Sequence, residues 1–177
     1  MKSGIIIVAE LQGPAREKVA EIQRRFDPKL AKAVAPHVTI TGSSGMGPIA
    51  TRTSATRLRA ALEPVARATA PMTLTFGRPM RFMQTNVVVL PLDPNGPVRA
   101  LHERIKRSGL TYERERFTFT PHATLSFFPT LEQSALRELL AFRVDDPITL
   151  DHIAAFRTVT ITETKELLRL PLTGRGA

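Results

Sequence analysis

Two short stretches of the chain carry side chains that could move protons on and off a substrate. One is Thr120-Pro121-His122-Ala123-Thr124-Leu125-Ser126-Phe127, the other Ala35-Pro36-His37-Val38-Thr39-Ile40-Thr41. Both are rich in β-branched residues and carry a proline where a strand can begin without losing a ladder donor, so both read as strands. Strand side chains alternate between faces. His122, Thr124 and Ser126 are therefore expected on one face, as are His37, Thr39 and Thr41, with Ala123, Leu125, Val38 and Ile40 on the other. An imidazole with a pKa near 6.5 gives or takes a proton near neutral pH. A hydroxyl two residues along the same face donates a hydrogen bond. Two such strands brought together would set an acid–base pair and two donors around one small anion.

The elements that must position these strands repeat. Ile5-Ile6-Ile7-Val8, a helix opened by Gly13-Pro14, the first Pro-His-x-Thr, a helix and Met72-Thr73-Leu74-Thr75 form one round. Val87-Val88-Val89-Leu90, a helix opened by Gly96-Pro97, the second Pro-His-x-Thr, a helix and Ile148-Thr149-Leu150 form the next. This spacing predicts a duplicated strand-helix-strand-helix-strand unit, in residues 4–82 and 86–172, packed about a pseudo-twofold axis. The expected fold is α+β: two related lobes, mostly antiparallel sheets, helices outside and a central cleft, in one domain over 1–173 with a frayed tail at 174–177.

Several local expectations follow. In the first helix Ala15, Val19, Ile22 and Phe26 form the apolar stripe. Gly42 to Gly47 reads as a flexible surface turn. Thr51 to Thr69 reads as a helix that Pro64 should kink or restart. Met72–Phe82 and Asn86–Leu92 read as two strands joined by a short turn, and Thr130 with Gln133 as a capping box. Ile148–Phe156 and Lys165–Leu172 complete the strands.

The formal charge is +9, carried mostly by arginine. It fits a polyanionic partner such as RNA, and equally fits a compositional bias spread over solvated helix faces. The absence of cysteine excludes disulfide, thiolate and zinc–thiolate chemistry. The early apolar run, Ile5 to Ala9, is too short for a signal-peptide core or a membrane span, so no membrane partner and a cytoplasmic location are expected. His102, on the edge of a helix stripe, and His152, beside Asp151, lack a hydroxyl partner at the same spacing and read as structural or surface residues. The motif histidines lack a third histidine or a carboxylate at ligand spacing, so no metal is expected.

Paired His-x-Thr motifs in a duplicated chain of this size resemble the two-histidine (2H) phosphoesterase superfamily, in particular its bacterial 2′–5′ RNA ligase and RNA 2′,3′-cyclic phosphodiesterase branch. The resemblance spans nearly the whole chain and rests on His37-Val38-Thr39-Ile40 and His122-Ala123-Thr124-Leu125. It implies a metal-independent, cofactor-free phosphodiesterase that opens RNA 2′,3′-cyclic phosphates to 2′-phosphates, with 2′–5′ ligation as the reverse. His37, His122, Thr39 and Thr124 are then the catalytic residues. The resemblance makes His37 the proton donor and His122 the acceptor; the residues themselves leave the two roles interchangeable. Arg114, Arg116 and Phe127 are candidate contacts to an RNA or nucleotide bearing the cyclic phosphate, and a monomer is expected. The chain departs from the pattern in its Gly/Ser segment after Thr41 and in Phe127-Phe128. Two alternatives stay open: a phosphodiesterase of small cyclic nucleotides or ADP-ribose cyclic phosphate, and a non-catalytic RNA-binding module on the same fold.

Overall fold

The structure, a computed structural model, describes residues 4–42, 44–158 and 163–175. Its apolar run becomes strand β1 (Gly4–Glu10), buried nearly throughout, as a strand covered on both faces must be. Gly13 takes a positive φ of 86° and Pro14 opens α1 (Pro14–Phe26), whose buried stripe is Ala15, Val19, Ile22 and Phe26 as the spacing predicts. A short helix α2 (Pro28–Ala33) leads into the first histidine strand, β2 (His37–Thr41). Then come α3 (Ala55–Arg67), β3 (Met72–Leu74), β4 (Met80–Arg81), β5 (Val88–Pro91) and α4 (Pro97–Lys106). The second histidine strand is β6 (His122–Ser126), followed by α5 (Gln133–Ala141), β7 (Ile148–Leu150), β8 (His152–Thr158) and β9 (Thr164–Pro171).

Seven strands make one antiparallel sheet in the order β4-β5-β6-β2-β1-β8-β9, and β3 pairs with β7 in a separate ribbon. The order reads symmetrically about the β6–β2 seam. Each half contributes its histidine strand at the centre with a partner beside it, β5 next to β6 and β1 next to β2. Beyond these lie β4 on one side and β8 with β9 on the other. The two halves thus share a single sheet. Helices cross over as well: Gln23 of α1 donates Nε2–H to the Thr124 carbonyl of β6 (2.8 Å), and His102 of α4 donates Nδ1–H to the Ile40 carbonyl of β2 (2.8 Å). One apolar core runs beneath both histidine strands, including Val38, Ile40, Ala123 and Leu125.

Several local expectations need correction. Gly77-Arg78-Pro79 breaks the stretch read as one strand, leaving β3 and β4, because proline cannot donate to the ladder. Asp151 likewise separates β7 from β8. Pro64 sits inside α3 without ending it. Thr130 forms no capping box: its hydroxyl accepts from Asn86 Nδ2 (3.0 Å), and α5 begins at Gln133 with no side-chain cap. The Gly42–Gly47 segment, residue 43 being outside the described residues, is docked rather than loose. A Cβ on Gly45 (φ 77°) would collide with Cε1 of His102, so this glycine lets the loop lie directly on that ring. The tail is also held at its start: Gly174 N–H donates to the Thr69 carbonyl (2.9 Å), while residues 176–177 lie outside the described ones. Among the described residues no helix is long and apolar enough to cross a membrane.

Candidate active site

The histidine strands meet at the Val38–Ala123 pair. Carrying that antiparallel pairing one residue either way sets His37 opposite Thr124 and Thr39 opposite His122. Val38 and Ala123 are fully buried on the core side, so all four polar side chains stand on the opposite face, where each is half-buried. Directly opposed Cβ atoms in such a pair lie roughly 4.5–5.5 Å apart and diagonal ones roughly 7–8 Å. The two imidazoles therefore occupy one diagonal of a small square and the two hydroxyls the other.

Both rings are oriented the same way. His37 Nδ1–H donates to the Ala35 carbonyl (2.8 Å), and His122 Nδ1–H donates to the Thr120 carbonyl (2.6 Å). A carbonyl only accepts, so each Nδ1 must carry a proton and each neutral ring leaves Nε2 as a free base. When a ring is charged, Nε2–H becomes its proton donor. The rings of Phe82 and His122 pack at right angles to each other with centroids 5.0 Å apart.

The second hydroxyl of each motif, on Thr41 and Ser126, is not part of this face. In β2 the register slips so that Ile7 faces Thr41 while Val8 faces Thr39; in β6, Val88 faces Ser126 while Val89 faces Thr124. Ile40 and Leu125 are therefore the extra residues of two β-bulges at equivalent places, and simple alternation ends there. Thr41 and Ser126 are both 0% exposed. The Thr41 hydroxyl is bonded to the Ile7 amide (3.0 Å).

Burial pushes both imidazoles below their ordinary pKa. At His37 the carbonyl hydrogen bond and the negative charge of Glu10 oppose that push; at His122 the carbonyl hydrogen bond opposes it and the nearby His37 adds to it. His102, wholly inside and stacked on Phe119 at 3.8 Å, is lowered by burial too. Three histidines whose protonation the fold resists give a stability prediction. Below the unfolded value near 6.5 the denatured chain binds protons that the native chain refuses, so stability present above about pH 6.5 is lost as pH falls through the folded values. Thermal melts between pH 7.5 and 5.5 should show a falling midpoint; a flat or rising one contradicts this.

The other candidate contacts lie apart. Arg114 and Arg116 are exposed on the connection before β6, which is bound to the Gly45 loop through Gly45 N–H and the Phe117 carbonyl (2.8 Å). Arg116 lies over the ring of Phe117, which is 62% exposed. Phe127 is also exposed, but just past the far end of β6, about 10 Å along the strand from Thr124. None of the three touches a motif histidine among the described contacts. His152 sits beside Asp151, with Nδ1–H donated to that carboxylate (2.6 Å).

Two residues that sequence reasoning missed belong to the site's frame. Asp27, buried between α1 and α2, accepts from Leu30 N (3.0 Å), Phe127 N (2.7 Å) and Phe128 N (2.8 Å), so it anchors the end of β6. Glu10, at the end of β1, pairs across the ladder with His37. Two open concavities of about 310 and 240 Å³ lie around β3 and the start of α4, and neither is lined by a motif histidine.

The comparisons with known proteins bear on this arrangement. The family model of the 2′-5′ RNA ligase superfamily matches residues 11–162. A comparison with curated proteins found no match in sequence. Among solved structures the chain resembles TT0787 of Thermus thermophilus, with a TM-score of 0.67 at 14% identity over 97% of this chain and 99% of that one. It also resembles E. coli LigT complexed with phosphate (TM-score 0.60, 16% identity) and with 3′-AMP (0.56, 18%), each over 97% of this chain and 98% of that one. At such identities the likeness is one of fold. The family match spans most of the chain, both histidine strands included: the chain belongs to the 2′-5′ RNA ligase superfamily of two-histidine phosphoesterases.

Proposed function

We propose that the chain is a metal-independent phosphodiesterase that opens RNA 2′,3′-cyclic phosphate ends to 2′-phosphates, and that a 5′-hydroxyl taking the place of water at the same site, with the 3′ oxygen again leaving, forms a 2′–5′ linkage in a reversible ligation. The observation that carries this reading is the square of His37, Thr124, His122 and Thr39, with neither Nε2 atom hydrogen-bonded among the described residues. In hydrolysis, a neutral imidazole takes a proton from water through Nε2 as the water oxygen bonds to phosphorus. The bond from phosphorus to the 3′ oxygen breaks, and the charged imidazole gives that oxygen its Nε2 proton. The product is a 2′-phosphate, and the two rings have exchanged protonation states. Thr39 and Thr124 donate to the non-bridging oxygens, whose charge grows in the pentacoordinate state. Arg114 and Arg116 serve the RNA backbone beyond the reacting end, and Phe127 a more distant nucleotide. LigT, of the same fold, has been solved with 3′-AMP and with phosphate, which supports a nucleotide end as the ligand.

The test uses purified protein in EDTA with an end-labelled oligonucleotide carrying a 2′,3′-cyclic phosphate. The expected product is the 2′-phosphate alone. Turnover of mononucleotides far faster than oligonucleotides would move the substrate to small cyclic nucleotides or ADP-ribose cyclic phosphate. Salt-sensitive RNA binding with no turnover of any cyclic phosphate would leave a binding module and overturn the proposal.

A further inference from the structure

The two histidine strands are framed almost identically. His37, Val38, Thr39 and Thr41 face Glu10, Ala9, Val8 and Ile7 of β1; His122, Ala123, Thr124 and Ser126 face Pro91, Leu90, Val89 and Val88 of β5. The next step matches too, since Leu11 N–H donates to the Pro36 carbonyl and Leu92 N–H to the Pro121 carbonyl, each at 2.9 Å. Bulge, ring hydrogen bond and neighbouring threonine are the same on both sides. The across-strand partner of the histidine is not. His37 faces a carboxylate and His122 faces a proline.

That carboxylate is held in place. Arg169 of β9 donates to both oxygens of Glu10, Nη2 to Oε1 at 2.8 Å and Nη1 to Oε2 at 3.1 Å, and also to Glu166 at 2.8 Å. His152 of β8 lies beside the same group, its Nδ1–H given to Asp151 and its Nε2 accepting from Arg169. The hydrogen bonds from Arg169 hold the Glu10 carboxyl below the usual carboxylate range and keep it ionised. Glu10, Glu166 and Asp151 against the single guanidinium leave the cluster net negative. Toward His122 the described neighbours are Pro91, Thr39, the Phe82 ring and His37, none of them a carboxylate; Arg81 of β4 pairs with Val88, at the Ser126 end of the strand.

We propose that Glu10, clamped by Arg169, is the positioning residue that decides which histidine of the pair is charged, placing the proton on His37 and leaving His122 as the base. Once one ring of the pair is charged, a second proton must enter beside an existing positive charge, so the first excludes the second. Glu10 lowers the energy of that proton on one ring only. In the hydrolytic direction His37 then donates to the leaving oxygen and His122 activates the water. This rests on the phosphodiesterase reading for its chemical consequence but not for its measurable core.

The experiment titrates the imidazole rings by NMR in the full chain without substrate, for wild type, Glu10→Gln and Pro91→Glu. Glutamine keeps the shape and a hydrogen bond to Arg169 but removes the charge. The expected result is a lower titration midpoint for His37 in Glu10→Gln, with His122 unchanged or slightly raised. In Pro91→Glu, which sets a carboxylate opposite the other ring, the His122 midpoint should rise. If cyclic phosphates are turned over, the alkaline limb of kcat/KM in Glu10→Gln should move to lower pH. At pH 7.5 that costs about tenfold, while most activity survives at the new optimum. An unmoved His37 midpoint in Glu10→Gln, or a loss of activity equal at all pH values, overturns the proposal. A shifted midpoint without any turnover leaves the proton assignment standing and removes the substrate reading instead.

Discussion

Alanine at either His37 or His122 should reduce turnover of an RNA 2′,3′-cyclic phosphate by about 10²–10⁴-fold, and alanine at both by little more than the worse single replacement. The reason is that the two rings act on the same transition state. The water cannot lose its proton productively unless the 3′ oxygen gains one, so deleting either partner disables the step that the other serves. Full independence would give the product of two such losses. Stability should hardly suffer. Each ring is half-buried and spends one hydrogen bond on a nearby carbonyl that water can replace. Removing an imidazole that resists protonation also removes part of the acid sensitivity described above. Single-turnover rates and thermal melts of the two single mutants and the double mutant provide the check. Undiminished hydrolysis by the double mutant would remove these residues from the chemistry, whatever the fold.

The motif strands were legible because alternation is local: His37 and Thr39, or His122 and Thr124, need only two-residue spacing to share a face. The Gly-Pro helix starts at Gly13-Pro14 and Gly96-Pro97 were legible for the same kind of reason, since proline suits a first helical turn and both helices begin there. The bulges were not. Ile40 and Leu125 are apolar and occupy the position where alternation expects an apolar residue, so nothing in the string distinguishes an extra residue from an ordinary one. Simple alternation therefore puts Thr41 and Ser126 on the wrong face. Thr130 misled in another way: its spacing to Gln133 suits a cap, but Asn86, distant in sequence, takes its hydroxyl. Glu10 looked like the polar end of an apolar run, and its meaning comes only from the β1–β2 register and from Arg169 on the last strand. Residues whose role is defined by a distant partner carry no local signal.

Asp27 is the strongest case of such a residue, and its replacement by alanine should destabilise the fold by about 3 kcal/mol. One carboxylate oxygen caps α2 through Leu30 N, a bond of a kind worth about 1 kcal/mol. The other accepts from the backbone amides of Phe127 and Phe128. With Asp27 only 1% exposed, those two donors would be left facing a cavity at a cost of about 1–3 kcal/mol each. Relief from burying a charge offsets part of the sum, which brings the net to about 3 kcal/mol, a large share of the roughly 5–15 kcal/mol that holds a domain together. The substitution Asp27→Asn separates the parts. An amide of the same shape can turn its oxygen toward Leu30 or toward the two phenylalanine amides, never both, so this variant should fall between wild type and Asp27→Ala. Urea unfolding should show the midpoint dropping in that order with an unchanged slope. Because Asp27 joins the α1–α2 corner of one half to the end of β6 in the other, hydrogen exchange should quicken first at Phe127 and Phe128. Asparagine as stable as aspartate, or alanine within about 0.5 kcal/mol of wild type, would mean that water satisfies these amides and that the two halves are held together by the sheet alone.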